Sequence, residues 1–203
     1  MNYQKKMEET LAGLTATEDI LLHSCCGPCS SAVITCLSSF FRITVFYYNP
    51  NIDERDEYDK RAREQERLIR AMPTPNPVTF LEGEYDSEDF LAGARSRASD
   101  REGGERCTFC YGLRLDKTAR TAKELKIPFF TTTLSVSPMK DAERINAIGS
   151  AAGEKYGVRW LWSDFKKKNG YLKSIELSKE YDLYRQDYCG CSFSRRDRDR
   201  ELT

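Results

Sequence analysis

The sequence predicts an α/β protein with a doubly wound, mostly parallel sheet and a helical or irregular C-terminal extension. Three observations carry that expectation. Short runs rich in β-branched and aromatic residues alternate with longer amphipathic or charged stretches, the pattern of successive β-loop-α units. The apolar runs stop at clusters of Gly, Pro, Asn or Ser, which punctuate local structure. The length of 203 residues suits one domain, expected over residues 19–203 after an N-terminal extension over 1–18.

Asp19–His23 (DILLH) is an apolar run that ends abruptly in SCCGPCSS, a loop marked by Gly27 and Pro28, before SAVITCLSSF resumes as a helix. Phe41–Tyr48 (FRITVFYY) reads as a second strand closed by the Asn49-Pro50-Asn51 turn. Asp53–Met72 is charged, with sparse apolar residues at helical spacing, and Pro73, Pro75 and Pro77 forbid its continuation. Val78–Leu81 supplies a third strand, Ser87–Ala94 a short helix, and Arg95–Arg106 a flexible polar connection. Tyr111–Leu125 is helical, with Leu113, Leu115, Ala119 and Ala122 apolar. Pro128–Leu134 is a β-rich run, Ala142–Tyr156 a helix capped from SVSPMKD, and Val158–Trp162 the last strand. Beyond Lys173 the pattern weakens, and RRDRDRELT is expected to be a solvated or frayed tail.

This order implies right-handed crossovers, and ligands of such sheets bind beyond the carboxyl ends of the strands. The CCGPC loop follows the first strand, YYNPN the second, SVSPMK the TTTL strand and SDFKKKNGY the last. All four therefore fall on one rim.

Lys plus Arg and Asp plus Glu each total 32. The resulting zero net charge excludes a uniformly basic nucleic-acid coat and a polybasic membrane anchor. No apolar run approaches the roughly 18 residues of a membrane span, so none is expected. The polar start MNYQKKMEETLAG lacks the apolar core of a secretory signal, which makes the reducing cytoplasm the expected compartment.

In that compartment eight cysteines call for a reason. They fall into a CCGPC cluster (Cys25, Cys26, Cys29), a CTFC pair (Cys107, Cys110), a CGC pair (Cys189, Cys191) and Cys36 alone. Paired cysteines in turn-like contexts point to metal binding or redox chemistry, and a chain long enough to bury a core needs no disulfide framework. Cys36, in the apolar stretch ITCLSSF, reads as a packed thiol. Cys25, Cys26, Cys107 and Cys110 can converge as a tetrathiolate site for zinc or for an iron–sulfur cluster. Adjacent cysteines diverge along an extended backbone and zinc ribbons prefer spaced pairs, so the doublet favours a large 4Fe-4S cluster over zinc. Cys29 is either a ligand to an additional iron or zinc ion or simply the first turn of the helix.

Cys189 and Cys191, separated by one glycine, can close a small strained disulfide of the reducible, catalytic kind. Arg185, Arg195 and Arg196 nearby would favour the thiolate; the competing reading is a second metal-ligand pair. His23, the sole histidine, has the position of a hydrogen-bonded strand end. No GxGxxG and no GxxxxGK[ST] occurs, so no nucleotide cofactor is expected. Basic residues in the loops are interleaved with Tyr47, Tyr48, Phe109, Tyr111, Tyr171, Tyr184 and Tyr188, a combination suited to splayed RNA bases.

LLHSCCGPCSSAVI, YYNPNI with EYDKR, CTFCYGLRLDKTA, FTTTLSVSPMK, SDFKKKNGY and YRQDYCGCSFS together resemble the QueH-type epoxyqueuosine reductases, in order over about Ile20 to Ser194. The resemblance implies a HUP-like fold and reduction of the epoxide of epoxyqueuosine to queuosine at the tRNA wobble position, the last step of that modification. It implies that Cys25, Cys26, Cys107 and Cys110 hold a 4Fe-4S cluster, that Cys189 and Cys191 are a redox-active pair, and that a separate metal ion can accompany the cluster. HUP relatives carry an SGGxDS-like pyrophosphate motif where this chain has SCCGPCS, which argues for metal and against ATP. The partners implied are tRNA carrying epoxyqueuosine and an electron donor that the sequence does not identify. Tyr48, Tyr111 and Tyr188 are candidates for stacking on the splayed nucleotide, Lys166, Lys167 and Arg185 for its phosphates, and Asp164 for proton donation. The rival readings are a zinc- or cluster-binding tRNA-interaction protein, a thiol-disulfide oxidoreductase and an ATP-dependent tRNA thiolase.

Overall fold

The chain lays strand β1 (Glu18–His23) at the centre of a five-stranded sheet, flanked by β2 (Phe41–Tyr47) and β4 (Phe129–Thr132). Strand β3 (Val78–Glu82) lies beyond β2, and β5 (Arg159–Trp160) beyond β4. Every pairing is parallel. This is a computed structural model, and it describes residues 1–201. The helices are α1 (Tyr3–Ala12), α2 (Gly27–Leu37), α3 (Arg55–Ala71), α4 (Glu88–Arg95), α5 (Glu105–Glu124), α6 (Ala142–Tyr156), α7 (Gly170–Glu180) and α8 (Ser192–Glu201).

Alternation along the strands explains the two layers of helices. Ile20 and Leu22 of β1, Ile43 and Val45 of β2 and Phe129 of β4 point to one face, where Met7, Leu11, Val33, Ile34 and Leu68 from α1, α2 and α3 meet them. Leu21, Phe46 and Phe130 point to the other, against Tyr111, Leu115 and Ala119 of α5 and Ile145 and Ala152 of α6. A strand covered on both faces must be apolar throughout, which is why DILLH reads as a continuous run. The doubly wound parallel sheet expected from the sequence is what forms.

The strand order turns back at β1, which pairs with β2 on one side and β4 on the other. Helices leaving β1 and β4 diverge there, and a crevice opens beyond the carboxyl ends of these two strands.

Several expectations need correction. The segment read as an extension carries α1, capped by Asn2 and docked into the core through Met7 and Leu11. The PFFTTTL run is strand only to Thr132; the Thr132 hydroxyl then accepts from Leu134 N, and a 3-10 turn spans Thr133–Val136. The last strand holds only Arg159 and Trp160, because Asn146 takes up the Ser163 N–H and C=O and draws the chain off the sheet. The Arg95–Arg106 connection is tied down: buried Arg106 donates to the carbonyls of Arg97, Ala98 and Asp100, and α5 begins at Glu105. The charged tail forms α8, fastened by Arg196 to Ala98 O and by Arg198 to Asp187; Leu202 and Thr203 lie outside the described residues. Cys36 is exposed, because the face of α2 that carries Val33, Ile34 and Leu37 to the core turns it outward. Among the described residues no helix is long and apolar enough to cross a membrane.

Candidate metal and redox centre

The CCGPC loop sits in the crevice because its backbone is pinned on three sides. Ser24 N–H donates to Phe46 O (2.9 Å), Asn49 Nδ2 donates to Ser24 O (2.9 Å), and the hydroxyls of Ser24 and Ser30 both donate to Gln65 Oε1 (2.7 and 2.5 Å). Cys26 is the N-cap of α2, and Cys29 lies in its first turn after Gly27 and Pro28. The sulfurs of Cys25, Cys26 and Cys29 consequently lie within 4.8 Å of one another at a helix N-terminus, whose partial positive charge favours thiolate. The Cys25–Cys26 separation is 3.8 Å. A tetrahedral site with metal–sulfur bonds of about 2.3 Å has edges of about 3.8 Å, so the trio is compact enough for a single ion. Without metal, one negative charge suffices for the three. Hydrogen bonds from Cys26 and Cys29, helped by Arg114, hold the Cys25 thiol well below its usual range, while Cys26 is pushed up to about 12 and Cys29 upward as the donors.

Helix α5 supplies the second set. Cys107, Cys110, Tyr111 and Arg114 recur at i, i+3, i+4 and i+7 and therefore share one face. Burial pushes the thiols of Cys107 and Cys110 up, that of Cys110 to about 11. Arg114, fully buried, donates to Asn49 Oδ1 (2.6 Å) and His23 Nε2 (3.2 Å) and stands 3.9 Å from Cys110 Sγ. None of these three partners is a carboxylate. A buried cation needs a compensating charge, and the Cys25 thiol, held well below its usual range, is the group that supplies it.

The CGC loop reaches the same crevice from the C-terminal segment. Arg61 Nη1 donates to Cys189 O (3.2 Å), Ser192 N–H donates to Asp53, and Cys189 N–H donates to Ser194 Oγ (3.1 Å). Lys140 Nζ stands 3.5 Å from Cys189 Sγ. Cys191 packs beside Cys110 in a small cluster with Phe90 and Ala94, and burial followed by the charge at Cys189 pushes its thiol up to about 12. All eight cysteines are free of disulfides.

A cavity of about 1150 Å³ is lined among others by Cys25, Cys26, Cys29, Arg114, Lys140 and Cys189. Cys107, Cys110 and Cys191 are not among its described lining residues, and the close thiol group holds Cys25, Cys26 and Cys29 but neither Cys107 nor Cys110. Arg185 and Tyr188 line the cavity too. Arg185 donates to Ser178 Oγ, and the ring of Tyr188 faces Arg61, Arg195 and Arg198. Tyr48 and Tyr111 are only 5% and 3% exposed, and Tyr48 stacks on Phe46, so neither ring offers a free face to a nucleobase. Asp164, Lys166 and Lys167 are not among the described lining residues; Asp164 is engaged by Lys166 at 2.7 Å.

Cysteine spacing does not point to Arg114, Lys140, Arg61, Asn49 or Gln65, although the first four lie within the quoted motifs. The signal for Arg114 was its i+4 relation to Cys110; for Arg61 it was the i+4 relation to Glu57, with which it pairs.

The sequence model of the family described as epoxyqueuosine reductase QueH matches residues 20–197. Curated relatives bearing the name Epoxyqueuosine reductase QueH include that of Streptococcus pyogenes serotype M1, 40% identical over 200 residues, which cover 96% of this chain and 78% of the relative. The relative from Staphylococcus epidermidis is 36% identical over 201 residues (96% and 84%), and that from Thermotoga maritima 33% over 190 residues (91% and 95%). The matched span runs from β1 into α8 and takes in the CCGPC, CTFC and CGC motifs alike, and the chain accordingly belongs to the QueH family of epoxyqueuosine reductases, which are oxidoreductases.

Proposed function

We propose that this protein reduces the epoxide of epoxyqueuosine to queuosine at the wobble position of tRNA, with a 4Fe-4S cluster on Cys25, Cys26, Cys107 and Cys110 and a redox-active Cys189/Cys191 pair. The carrying observation is the single crevice in which cysteines of separate loops meet buried cations. The donor set fits a cluster: soft thiols at two helix N-termini, and an Arg114 guanidinium without a carboxylate partner, which an anionic metal–thiolate group would offset. When bound, such a cluster supplies electrons one at a time. Cys29, beside Cys25 and Cys26, is the thiol available to an additional iron or zinc ion.

The rest of the chemistry falls to the chain. An epoxide becomes an alkene and water by taking up two electrons and two protons, and a dithiol that closes releases two of each. Cys189 lines the cavity and Cys191 lies behind it, buried, so Cys189 is the thiol that faces substrate and Cys191 the one that resolves. The nucleotide must be splayed from the anticodon loop to reach this depth. Arg185 and Tyr188 line its route and are the proposed contacts to phosphate and base; Lys166 and Lys167, farther along the rim, would meet the flanking backbone.

The deciding experiment incubates metal-loaded protein anaerobically with a reductant and epoxyqueuosine-containing tRNA, followed by nucleoside mass spectrometry. Queuosine is expected, and its absence from a fully loaded preparation overturns the reading.

A further inference from the structure

As the epoxide opens, its oxygen must take up a proton, and the carboxyl expected from sequence is badly placed to give one. Asp164 is engaged by Lys166 and stands outside the described lining of the cavity. Lys140 lines it, on the segment that follows β4 at the switch point. Its side chain is 9% exposed, with Nζ 3.5 Å from Cys189 Sγ and 3.5 Å from Glu102 Oε1, and 5.9 Å from the centroid of the Tyr111 ring. The other oxygen of Glu102 accepts from Ser194 Oγ (3.0 Å), and Ser194 Oγ in turn accepts from Cys189 N–H. One carboxylate thus orients both the ammonium and the loop that carries the thiol.

Burial on its own would drive a lysine toward its neutral form. The acidic groups beside it, Cys189 and Glu102, both 3.5 Å from Nζ, outweigh burial and hold this one above the ordinary lysine range. An ammonium has three N–H donors. Cys189 and Glu102 account for two, and the third has no hydrogen-bond acceptor among the described residues, only the Tyr111 ring 5.9 Å away.

We propose that Lys140 is the general acid of the reduction, delivering a proton from Nζ to the epoxide oxygen as its bonds to carbon break. The proposal rests on the reading of the chain as an epoxyqueuosine reductase. Both C–O bonds break and one carbon–carbon π bond forms. The two electrons pass through the Cys189/Cys191 dithiol, whose two thiol protons go to solvent as it closes and which a low-potential donor, dithionite in the test below, reduces again. The oxygen leaves as water, with one proton from Lys140 and one from solvent, and Nζ recovers its own proton from solvent through the cavity.

The test is single-turnover reduction of an epoxyqueuosine-containing anticodon stem-loop by dithionite-reduced, metal-loaded protein. Lys140→Ala is expected to slow queuosine formation by at least about 100-fold, with iron content and RNA affinity within about twofold of the parent protein. Methylammonium and ethylammonium should restore the rate of Lys140→Ala in proportion to their concentration, and tetramethylammonium, which has no proton to give, should not. Lys140→Arg keeps the charge but releases a proton far less readily, and should stay at least about tenfold below the parent. Turnover of Lys140→Ala within about threefold of the parent overturns the assignment. So does full activity of Lys140→Arg, an absence of rescue by primary amines, or a loss of rate that merely follows loss of iron or of RNA binding. If the parent protein itself forms no queuosine, the reductase reading falls and takes the assignment with it, an outcome distinct from a defect confined to the variants.

Discussion

Arg114 Nε donates to His23 Nε2 across 3.2 Å, and through this contact a strand-end imidazole and a helix-borne guanidinium determine each other's state. Nδ1 stands 2.8 Å from Thr132 Oγ1, and Nε2 also stands 3.1 Å from Tyr48 O, so every polar atom of the ring has a partner. Burial first, and the charge of Arg114 second, push the His23 pKa down to about 3.

The native protein therefore binds fewer protons at His23 than the unfolded chain between about pH 6.5 and pH 3. The stability contributed by neutral His23 is present in full above that window and declines as pH falls through it. In metal-free protein the imidazole NMR signals should stay unshifted from pH 8 to about pH 4.5. A native-state midpoint near 6.5 would disprove this.

Arg114→Lys keeps a charge but loses the planar fork that spans Asn49 and His23. Two buried partners are left imperfectly paired, at a cost of about 2–4 kcal/mol. Urea denaturation of metal-free protein should show the loss as a lower midpoint, and an unchanged midpoint would mean that the network contributes little.

The grouping of Cys25, Cys26 and Cys29 makes Cys29 a participant in metal retention. Cys25→Ser and Cys29→Ser should each hold less iron or zinc after anaerobic desalting, by elemental analysis, whereas exposed Cys36→Ser should match the parent. Equal metal in all three variants contradicts the grouping.

Gly190 adopts φ +118°, and an added Cβ would come within 2.8 Å of Ile52 Cγ1 and 3.2 Å of Arg61 Nη1. Gly190→Ala should push the CGC loop off its Arg61 anchor, cost about 1–3 kcal/mol and lower turnover at least about tenfold with iron content unchanged. Cys189→Ala should likewise lose turnover and keep its iron. Loss of iron in either variant would place the loop among the metal ligands instead.

The sheet was legible because a parallel sheet covered on both faces writes itself as apolar runs, and DILLH and FRITVFYY are such runs. The rim was legible for the same reason: once the strands are parallel, SCCGPC, YYNPN and SVSPMK share an edge. Burial of rings was not. Tyr48 and Tyr111 look like Tyr188 in sequence, and only the packing of Phe46 and Leu134 against them separates core from surface. The role of Lys140 was hidden because its partners lie far off along the chain, Glu102 in the connection before α5 and Cys189 in the loop before α8. The order in α8 was hidden because it rests on arginine bonds to Ala98 and Asp187 and on little apolar contact, which hydrophobic periodicity cannot detect.

Helix α5 carries two thiols, an aromatic ring and a guanidinium on one stripe, and this makes its length a measuring rod. One residue inserted between Cys110 and Arg114 would swing the guanidinium by about 100° around the helix axis, away from His23 and Asn49, while leaving composition and helix propensity almost untouched. The turn at Gly103, with its positive φ, feeds the same stripe: its N–H donates to Cys107 Sγ (3.2 Å) and its C=O accepts from Arg144 (2.6 Å). Homologues of this chain should therefore not differ in length within the first three turns of α5.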